Sequence, residues 1–98
     1  MDRDGIIREI MSIMQKHGGP SYSWYVGISQ DAKEALFSNH KVSIERGIWI
    51  WKPANNSKVA REVEDYFVDN FYSDGALFGR DILSTQVYAY KKASDTKP

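Results

Sequence analysis

Three short segments that are rich in aromatic and β-branched residues constrain the fold of this chain more than any other feature. They are "SWYVGIS" at 23–29, "GIWIWK" at 47–52 and "TQVYAYKK" at 85–92. Runs of this length and composition, bounded by Gly, Pro, Asn or Asp, are typical of β-strands. The sequence therefore predicts three strands, separated by segments that are long enough to hold helices.

The first helical segment precedes the first strand. Residues 5–17 repeat apolar side chains at helical spacing, while polar residues fill the opposite face. Asp4 is predicted to cap the start of this helix, and Gly18-Gly19-Pro20 to end it. Its apolar face must cover either the core of the domain or a second copy of the chain.

Two further helices are predicted between the strands. Asp31 and Glu34 have the spacing of a capping box and open the second helix. Ser57 opens the third helix, which is expected to extend to about Asn70. A loop that includes Gly79 then leads to the last strand.

The predicted elements alternate in the order helix, strand, helix, strand, helix, strand. This order predicts an α+β fold, with a three-stranded and mainly antiparallel sheet flanked by three helices. Residues 1–98 are expected to form a single small domain. Within it, 1–20 contain the amino-terminal amphipathic helix and its Gly-Gly-Pro break, and 93–98 form a frayed tail.

The position of each strand within the sheet can also be predicted. Residues 24–28 are expected at the centre, with residues 85–91 beside them. The first strand has no charged side chain until Asp31, and a strand covered on both faces is typically uncharged. Lys52 and Lys91 end the other two strands and suit edge positions.

Alternation along each strand sorts the side chains onto two faces of the sheet. One face is mainly aliphatic and carries Trp24, Val26, Ile28, Ile48, Ile50, Val87 and Ala89. The other, the aromatic face, carries Tyr25, Gly27, Ser29, Trp49, Trp51, Tyr88 and Tyr90. Rings with polar groups suit either a second core beneath a helix or an open face on which a ligand stacks.

Composition excludes several classes of protein. Thirteen Lys and Arg residues balance thirteen Asp and Glu residues, so a nucleic-acid site would have to be a local patch. The absence of cysteine excludes disulfides and thiolate metal sites. No apolar run approaches the roughly 20 residues of a membrane span, and charges interrupt the first apolar segment. A cytoplasmic protein with no membrane partner is expected.

The segment "WYVGISQDAKEALFSNH" at 24–40 resembles the second half of the GIY-YIG nuclease signature. In that family a Tyr-Ile/Val-Gly strand is followed by a short loop and a helix. The family's first tyrosine would correspond to Tyr88 in "QVYAYKK", provided that this strand pairs antiparallel with 23–29. The resemblance extends over 24–71 and implies a circularly permuted GIY-YIG-like sheet, with Tyr25 and Tyr88 in one site.

The third helix, "SKVAREVEDYF", is similar to the family's later helix, in which a glutamate binds the catalytic metal. The resemblance places that role on Glu64, with Mg as the implied metal if any nuclease activity remains. Helical phase agrees, because Glu64 shares one side of the helix with Ala60 and Phe67. Arg61 could contact a phosphate near this site, although an ion pair within the helix explains it as well.

One position departs from the family's pattern. The family carries an arginine eight residues beyond the strand glycine, and Ala35 occupies that position here. Losing one such transition-state donor typically costs on the order of 100- to 1000-fold in rate. His40 falls where some family members place a functional histidine. We therefore expect Tyr25, Tyr88 and Glu64 to form a vestigial catalytic site without efficient cleavage.

Two functions remain open from the sequence. The first is a GIY-YIG-like domain that binds nucleic acid weakly without cutting it efficiently. The candidate binding residues are Gly27, Trp49, Trp51, Tyr90, Arg61 and His40. The second is a small protein-interaction or homodimeric module with no role in nucleic-acid binding, which the neutral overall charge favours.

Overall fold

The computed structural model describes residues 1–71, 73–75 and 83–98, which form three helices around a three-stranded antiparallel sheet. The predicted α+β class and element order are confirmed. The helices are α1 (Arg3–Gln15), α2 (Ala32–Glu34), continued by a π-helical turn (Ala35–Asn39), and α3 (Ser57–Phe71). The strands are β1 (Trp24–Ser29), β2 (Trp49–Pro53) and β3 (Gln86–Lys91). Gly79 and most of its predicted loop lie outside the described residues.

The start of α1 differs from the prediction. Asp2, and not Asp4, is the capping residue, because its extended backbone lets its carboxylate accept from the Gly5 N–H at 2.8 Å. The end of α1 agrees with the prediction. Gly18 and Gly19 both have positive φ angles, and the Gly19 N–H donates to the Met14 carbonyl at 2.8 Å. Such a left-handed ending turns the chain out of the helix.

β3, and not β1, is the central strand of the sheet. It pairs antiparallel with β1 on one side and β2 on the other, so Tyr88 lies opposite both Gly27 and Trp51. The prediction that β1 is central is therefore wrong. It treated Lys91 as a mark of an edge strand, but the Lys91 ammonium donates to the His17 carbonyl at 2.8 Å. A flexible lysine stem can carry its charge beyond the end of a central strand.

The outer edge of β1 is covered by a short segment of the chain, residues 73–75. The Val26 N–H donates to the Asp74 carbonyl, and the Asp74 N–H donates to the Trp24 carbonyl, both at 2.9 Å. Because this segment covers its edge, β1 is buried over its first four residues despite its position. A strand without charge therefore does not have to be central.

The two faces of the sheet are covered by different helices, and the predicted sorting of side chains is confirmed. The aliphatic face packs against α1 and α3 through Ile6, Ile10, Met14, Ala60, Val63 and Phe67. The aromatic face packs against α2 and its π-helical turn through Ala32, Ala35 and Leu36. The aromatic face is thus a second core.

Residues 93–97, which belong to the segment that the sequence predicts to be a frayed tail, make a hydrogen-bonded turn after β3. Ala93 and Thr96 close a turn in which the Ala93 N–H donates to Thr96 Oγ1 at 2.9 Å. The Lys97 N–H then donates to the His40 carbonyl at 2.7 Å. The chain therefore folds back onto the end of the π-helical turn.

In the part of the chain that the structure describes, none of the helices is both long enough and apolar enough to cross a membrane.

We predict that Ile10→Asp unfolds the domain, because the Ile10 side chain is fully buried in the aliphatic core. An unpaired charge at a buried position typically costs roughly 3–5 kcal/mol. The expected result is a large fall in the urea midpoint, measured by tryptophan fluorescence. Ser12→Asp, on the exposed side of the same helix, is the matched control and should leave the midpoint nearly unchanged. Equal midpoints for the two variants would contradict the packing of α1.

Candidate functional site

Three tyrosines and one histidine converge on the aromatic face. The Tyr25 ring stacks on Tyr90 at 5.3 Å and on Tyr88 at 6.2 Å between ring centroids. The His40 ring lies 4.5 Å from Tyr25, 5.5 Å from Tyr88 and 5.1 Å from Tyr90. These four residues are called the tyrosine–histidine cluster below. The predicted convergence of Tyr25 and Tyr88 is present, and Tyr90 and His40 complete the group.

Gly27 makes room for Tyr88. The two residues lie directly opposite each other in the β1–β3 pair. A Cβ atom at Gly27 would lie 2.5 Å from the Tyr88 hydroxyl oxygen and 2.6 Å from the adjacent ring carbon Cζ. Since real side chains do not approach this closely, the Tyr88 ring can lie across the β1 backbone only because residue 27 is glycine. Gly27 thus positions the site by its lack of a side chain.

His40 reaches the cluster because of the way the π-helical turn ends. The His40 N–H donates to the Ala35 carbonyl at 2.9 Å, and the Val42 N–H donates to the Leu36 carbonyl at 3.0 Å. Between them Lys41 has a φ angle of 60°, in the left-handed region that ends helices. The helix therefore stops at His40, with the imidazole over the tyrosines.

Hydrogen bonds assign the protons of the His40 ring. Nδ1 lies 2.8 Å from the Lys97 carbonyl oxygen, which can only accept, so Nδ1 carries the hydrogen and donates. Nε2 then has a lone pair and accepts from the Tyr88 hydroxyl at 2.8 Å. The Tyr90 hydroxyl oxygen lies 3.1 Å from Nδ1 and can share the same N–H. His40 is therefore a neutral acceptor for Tyr88.

Glu64 is fully buried on α3 beside the edge of β1. One of its carboxylate oxygens, Oε2, lies 3.7 Å from the position that a Cβ atom would take at Gly75. Its negative charge is near enough to the cluster to raise the pKa of both Tyr25 and Tyr88. The orientation of Glu64 toward the sheet agrees with the prediction from helical phase.

Burial controls the protonation of the cluster. It raises the pKa of Tyr25, Tyr88 and Tyr90 because a phenolate would lose its hydration, and the charge of Glu64 adds to this at the first two. Burial also lowers the pKa of His40, and the hydrogen bond to Lys97 offsets part of that effect. Near neutral pH the three tyrosines of the cluster therefore keep their hydroxyl protons, and no phenolate is present.

The two tryptophans lie on the aromatic face but outside the cluster. The Trp49 indole packs edge-on against Phe37 at 4.9 Å, and its Nε1–H donates to the Ile44 carbonyl at 3.2 Å. The Lys33 ammonium lies over the Trp51 ring at 6.0 Å. Both rings are half-buried by these contacts, so they form the rim of the second core.

Arg61 is not brought to the cluster. It is half-buried on α3, and its side chain makes no hydrogen bond or ion pair with any residue that the structure describes. Its predicted role as a phosphate contact therefore remains a prediction. The alternative role in a helical ion pair finds no support among the described residues.

The residues of the site do not fit a preformed magnesium site. Glu64 is fully buried, whereas Mg²⁺ usually keeps several water molecules when a carboxylate binds it. Within the described ranges, no three His, Asp or Glu side chains form a group that could hold a metal ion. No chemical step is therefore derived through a metal.

Ala35 lies under the same surface as the cluster, where it is buried against the aromatic face. Next to it is a cleft lined by residues that include Ser29, Asp31 and Glu34. This cleft gives a longer side chain at residue 35 room to extend. The described residues that line it include two carboxylates and neither Arg nor Lys, so none of these residues substitutes for the family's arginine.

The contribution of Lys97 could not be predicted from the sequence. Its backbone carbonyl sets the His40 tautomer. Every residue has a backbone carbonyl, so the identity of residue 97 does not reveal this contact. Residues 93–98, "ASDTKP", have the polar composition of a disordered end. In the structure, the short turn formed by Ala93 and Thr96 brings the chain back toward His40.

Comparison of the chain with protein-family models, with curated proteins and with solved structures finds no match in any of the three.

We predict that Gly27→Ala destabilises the domain by about 1–3 kcal/mol, the usual cost of forcing extra atoms into a packed core. The reason is the clash between the new methyl group and the Tyr88 ring. A double-mutant cycle with Tyr88→Val, measured by urea unfolding, isolates this contact. In the Tyr88→Val background, Gly27→Ala should be neutral or stabilising, since alanine restricts the unfolded chain. Equal costs in both backgrounds would show that the ring does not lie over Gly27.

We also predict that stability falls as the pH drops below the ordinary histidine range, about pH 6.5. The pKa of His40 is lowered in the folded protein, so the unfolded chain binds more protons and stability rises with pH through this window. Urea midpoints at pH 5.5 and 7.5 measure the effect. His40→Gln keeps a polar side chain but cannot titrate, so it should lose less stability. An equal loss in both proteins would refute this assignment.

Proposed function

We propose that this chain is a GIY-YIG-like domain that binds nucleic acid through its tyrosine–histidine cluster and does not cleave it efficiently. The observation that carries the proposal is the hydrogen bond between Tyr88 and His40 on the same face as Tyr25. The resemblance of the sequence to the GIY-YIG signature implies two tyrosines in one site, with a histidine near them. The antiparallel pairing of β1 with β3 brings Tyr25 and Tyr88 together, and the end of the π-helical turn adds His40.

The protonation state of the three tyrosine hydroxyl groups supports phosphate binding. Phosphodiester oxygens accept hydrogen bonds, and the buried tyrosines keep their hydroxyl protons near neutral pH. Donors to a charged group form stronger hydrogen bonds than donors to a neutral one. The balanced charge of the whole chain adds no long-range attraction, so the expected affinity is weak and depends on the local donors.

Two features support the absence of efficient cleavage. Ala35 replaces the arginine that the family uses to stabilise the phosphate, and the charged residues among the described lining of the adjoining cleft are Asp31 and Glu34. The raised pKa values of Tyr25 and Tyr88 also disfavour the phenolate that would be needed to accept a proton from water. The proposed role is therefore recognition of nucleic acid.

The alternative function is a protein-interaction or homodimeric module. It would require the apolar face of α1 or the aromatic face of the sheet to be exposed, but both are buried within the domain. Ile6, Ile10 and Met14 of α1 are fully buried in the aliphatic core. The aromatic face is covered by α2 and its π-helical turn. Because neither apolar surface is left open in a single copy of the chain, we rank this alternative second.

The binding claim can be tested by fluorescence anisotropy with labelled single- and double-stranded oligonucleotides at low salt. We expect weak binding that falls as salt rises. Tyr88→Phe should weaken it roughly tenfold, the usual effect of losing one hydrogen bond to a charged group. Tyr22→Phe is the matched control, because Tyr22 is 73% exposed and lies outside the cluster. Absence of binding at low salt, or an equal effect of both variants, would refute the proposal.

The cleavage claim needs a separate assay. Plasmid, branched and single-stranded substrates should remain intact with magnesium or manganese in the unmodified protein and in Ala35→Arg alike, because an arginine at residue 35 adds no metal ligand to a site that does not fit magnesium. Glu64→Gln, which preserves the shape of this buried side chain, serves as the comparison. Metal-dependent cutting by the unmodified protein that disappears in Glu64→Gln would contradict the claim.

A further inference from the structure

The chain turns back toward the tyrosine–histidine cluster directly after β3. The Thr96 hydroxyl donates to the Ala93 carbonyl at 2.9 Å, and the Thr96 N–H donates to the same carbonyl at 3.2 Å. The Ala93 N–H donates back to Thr96 Oγ1 at 2.9 Å. Three hydrogen bonds thus close a turn that reverses the chain. Residues 93–97 are called the strap below.

The strap is joined to the cluster through one residue. The Lys97 N–H donates to the His40 carbonyl at 2.7 Å, and the His40 Nδ1–H donates to the Lys97 carbonyl at 2.8 Å. Both bonds use backbone atoms of Lys97, so the identity of its side chain does not contribute to them. With Nε2 bonded to Tyr88, both ring nitrogens of His40 are occupied.

A ligand cannot reach the hydroxyl groups of the cluster while it is closed in this way. Tyr25, Tyr88 and Tyr90 are only 6%, 4% and 0% exposed. Ala32, Ala35 and Leu36 pack against them from α2 and the π-helical turn, and those residues belong to the second core. Opening that side would break core packing, whereas opening the His40 side breaks hydrogen bonds of the strap.

The strap is the part of this enclosure that can open at low cost. Ala93, Ser94, Asp95 and Lys97 are all exposed, and none of them belongs to either hydrophobic core. Segments with few buried apolar contacts and solvent-exposed hydrogen bonds open locally long before the whole protein unfolds. The contact between Lys97 and His40 is therefore a closure that is separable from the fold.

We propose that the strap is a releasable cover for the tyrosine–histidine cluster, and that its detachment from His40 admits a phosphodiester to the tyrosine hydroxyls. This inference rests on the proposed nucleic-acid binding for the identity of the ligand. The closure itself rests only on the contacts of Lys97 with His40 and on the burial of the three tyrosines. Removing the strap from His40 should expose the imidazole and raise the affinity for nucleic acid.

Two substitutions at one residue separate the backbone contact from the side chain. Lys97→Pro deletes the N–H that donates to His40 and restricts the residue before it, which belongs to the turn. Lys97→Ala keeps both backbone groups and is the matched control. Residue 97 is exposed, so neither change touches a core and both proteins should fold.

The first readout is acylation by diethyl pyrocarbonate, which reacts with accessible neutral imidazoles. The chain contains only two histidines. His17, which follows α1 and lies outside the cluster, serves as an internal reference in the same sample. Peptide mass spectrometry gives the ratio of His40 to His17 modification. Lys97→Pro deletes the N–H that donates to the His40 carbonyl but keeps the carbonyl that accepts from His40 Nδ1, so one hydrogen bond is lost directly. This loss should raise the ratio on the order of tenfold, while Lys97→Ala leaves it unchanged. An unchanged ratio in Lys97→Pro would overturn the proposal.

The second readout is anisotropy with a labelled single-stranded oligonucleotide at fixed low salt. Tighter binding by Lys97→Pro than by the unmodified protein and Lys97→Ala supports the strap as a gate. Equal binding by all three proteins, despite a raised modification ratio, would overturn the gate. A raised ratio with no binding by any of them would leave the closure established and refute the proposed nucleic-acid function instead.

Discussion

The close contact between Tyr88 and Gly27 determines the arrangement of the aromatic face. A side chain at residue 27 would occupy the position of the Tyr88 hydroxyl, so the ring would have to leave the β1 backbone. Cross-strand pairing then fixes Tyr90 opposite Tyr25, and the stacked rings leave one position over them for an imidazole. The register between two antiparallel strands is strongly specified here, because a shift of one strand by one residue would move all its side chains to the other face of the sheet. The cluster is therefore a consequence of a single register.

The domain divides its burial between two cores of different chemistry. The fully buried side chains of the aliphatic core beneath α1 and α3 carry no polar group apart from the Trp24 indole N–H, and this core stabilises the fold mainly through burial. The aromatic core buries hydroxyl groups, each of which must find a partner. His40 satisfies Tyr88, and the backbone of Lys97 satisfies His40, so the polar chain ends at the surface. These hydrogen bonds connect a buried hydroxyl group to an exposed segment of the chain.

Much of the site could be predicted from the sequence because the positions of its side chains follow from local patterns within each strand and helix. Alternation along each strand places Tyr25, Tyr88 and Tyr90 on one face, and helical phase directs Glu64 toward the sheet. The central strand could not be predicted correctly, because strand order depends on the long-range cover that residues 73–75 give to β1. The contact of Lys97 with His40 could not be predicted for the same reason, since it depends on backbone atoms of Lys97, which lies far from His40 in sequence. Interactions that depend on the type of a side chain could be predicted from the sequence, whereas interactions that depend on the position of backbone atoms could not.

The most direct test of this account is the protonation of the His40 ring, measured by long-range ¹H–¹⁵N correlation in labelled protein near neutral pH. The account predicts a single neutral tautomer in which Nδ1 carries the hydrogen and Nε2 accepts, with cross-relaxation between His40 and Tyr88. A hydrogen on Nε2 would mean that His40 does not accept from Tyr88. That result, or rapid averaging of both tautomers, would contradict the cluster on which the proposed function rests.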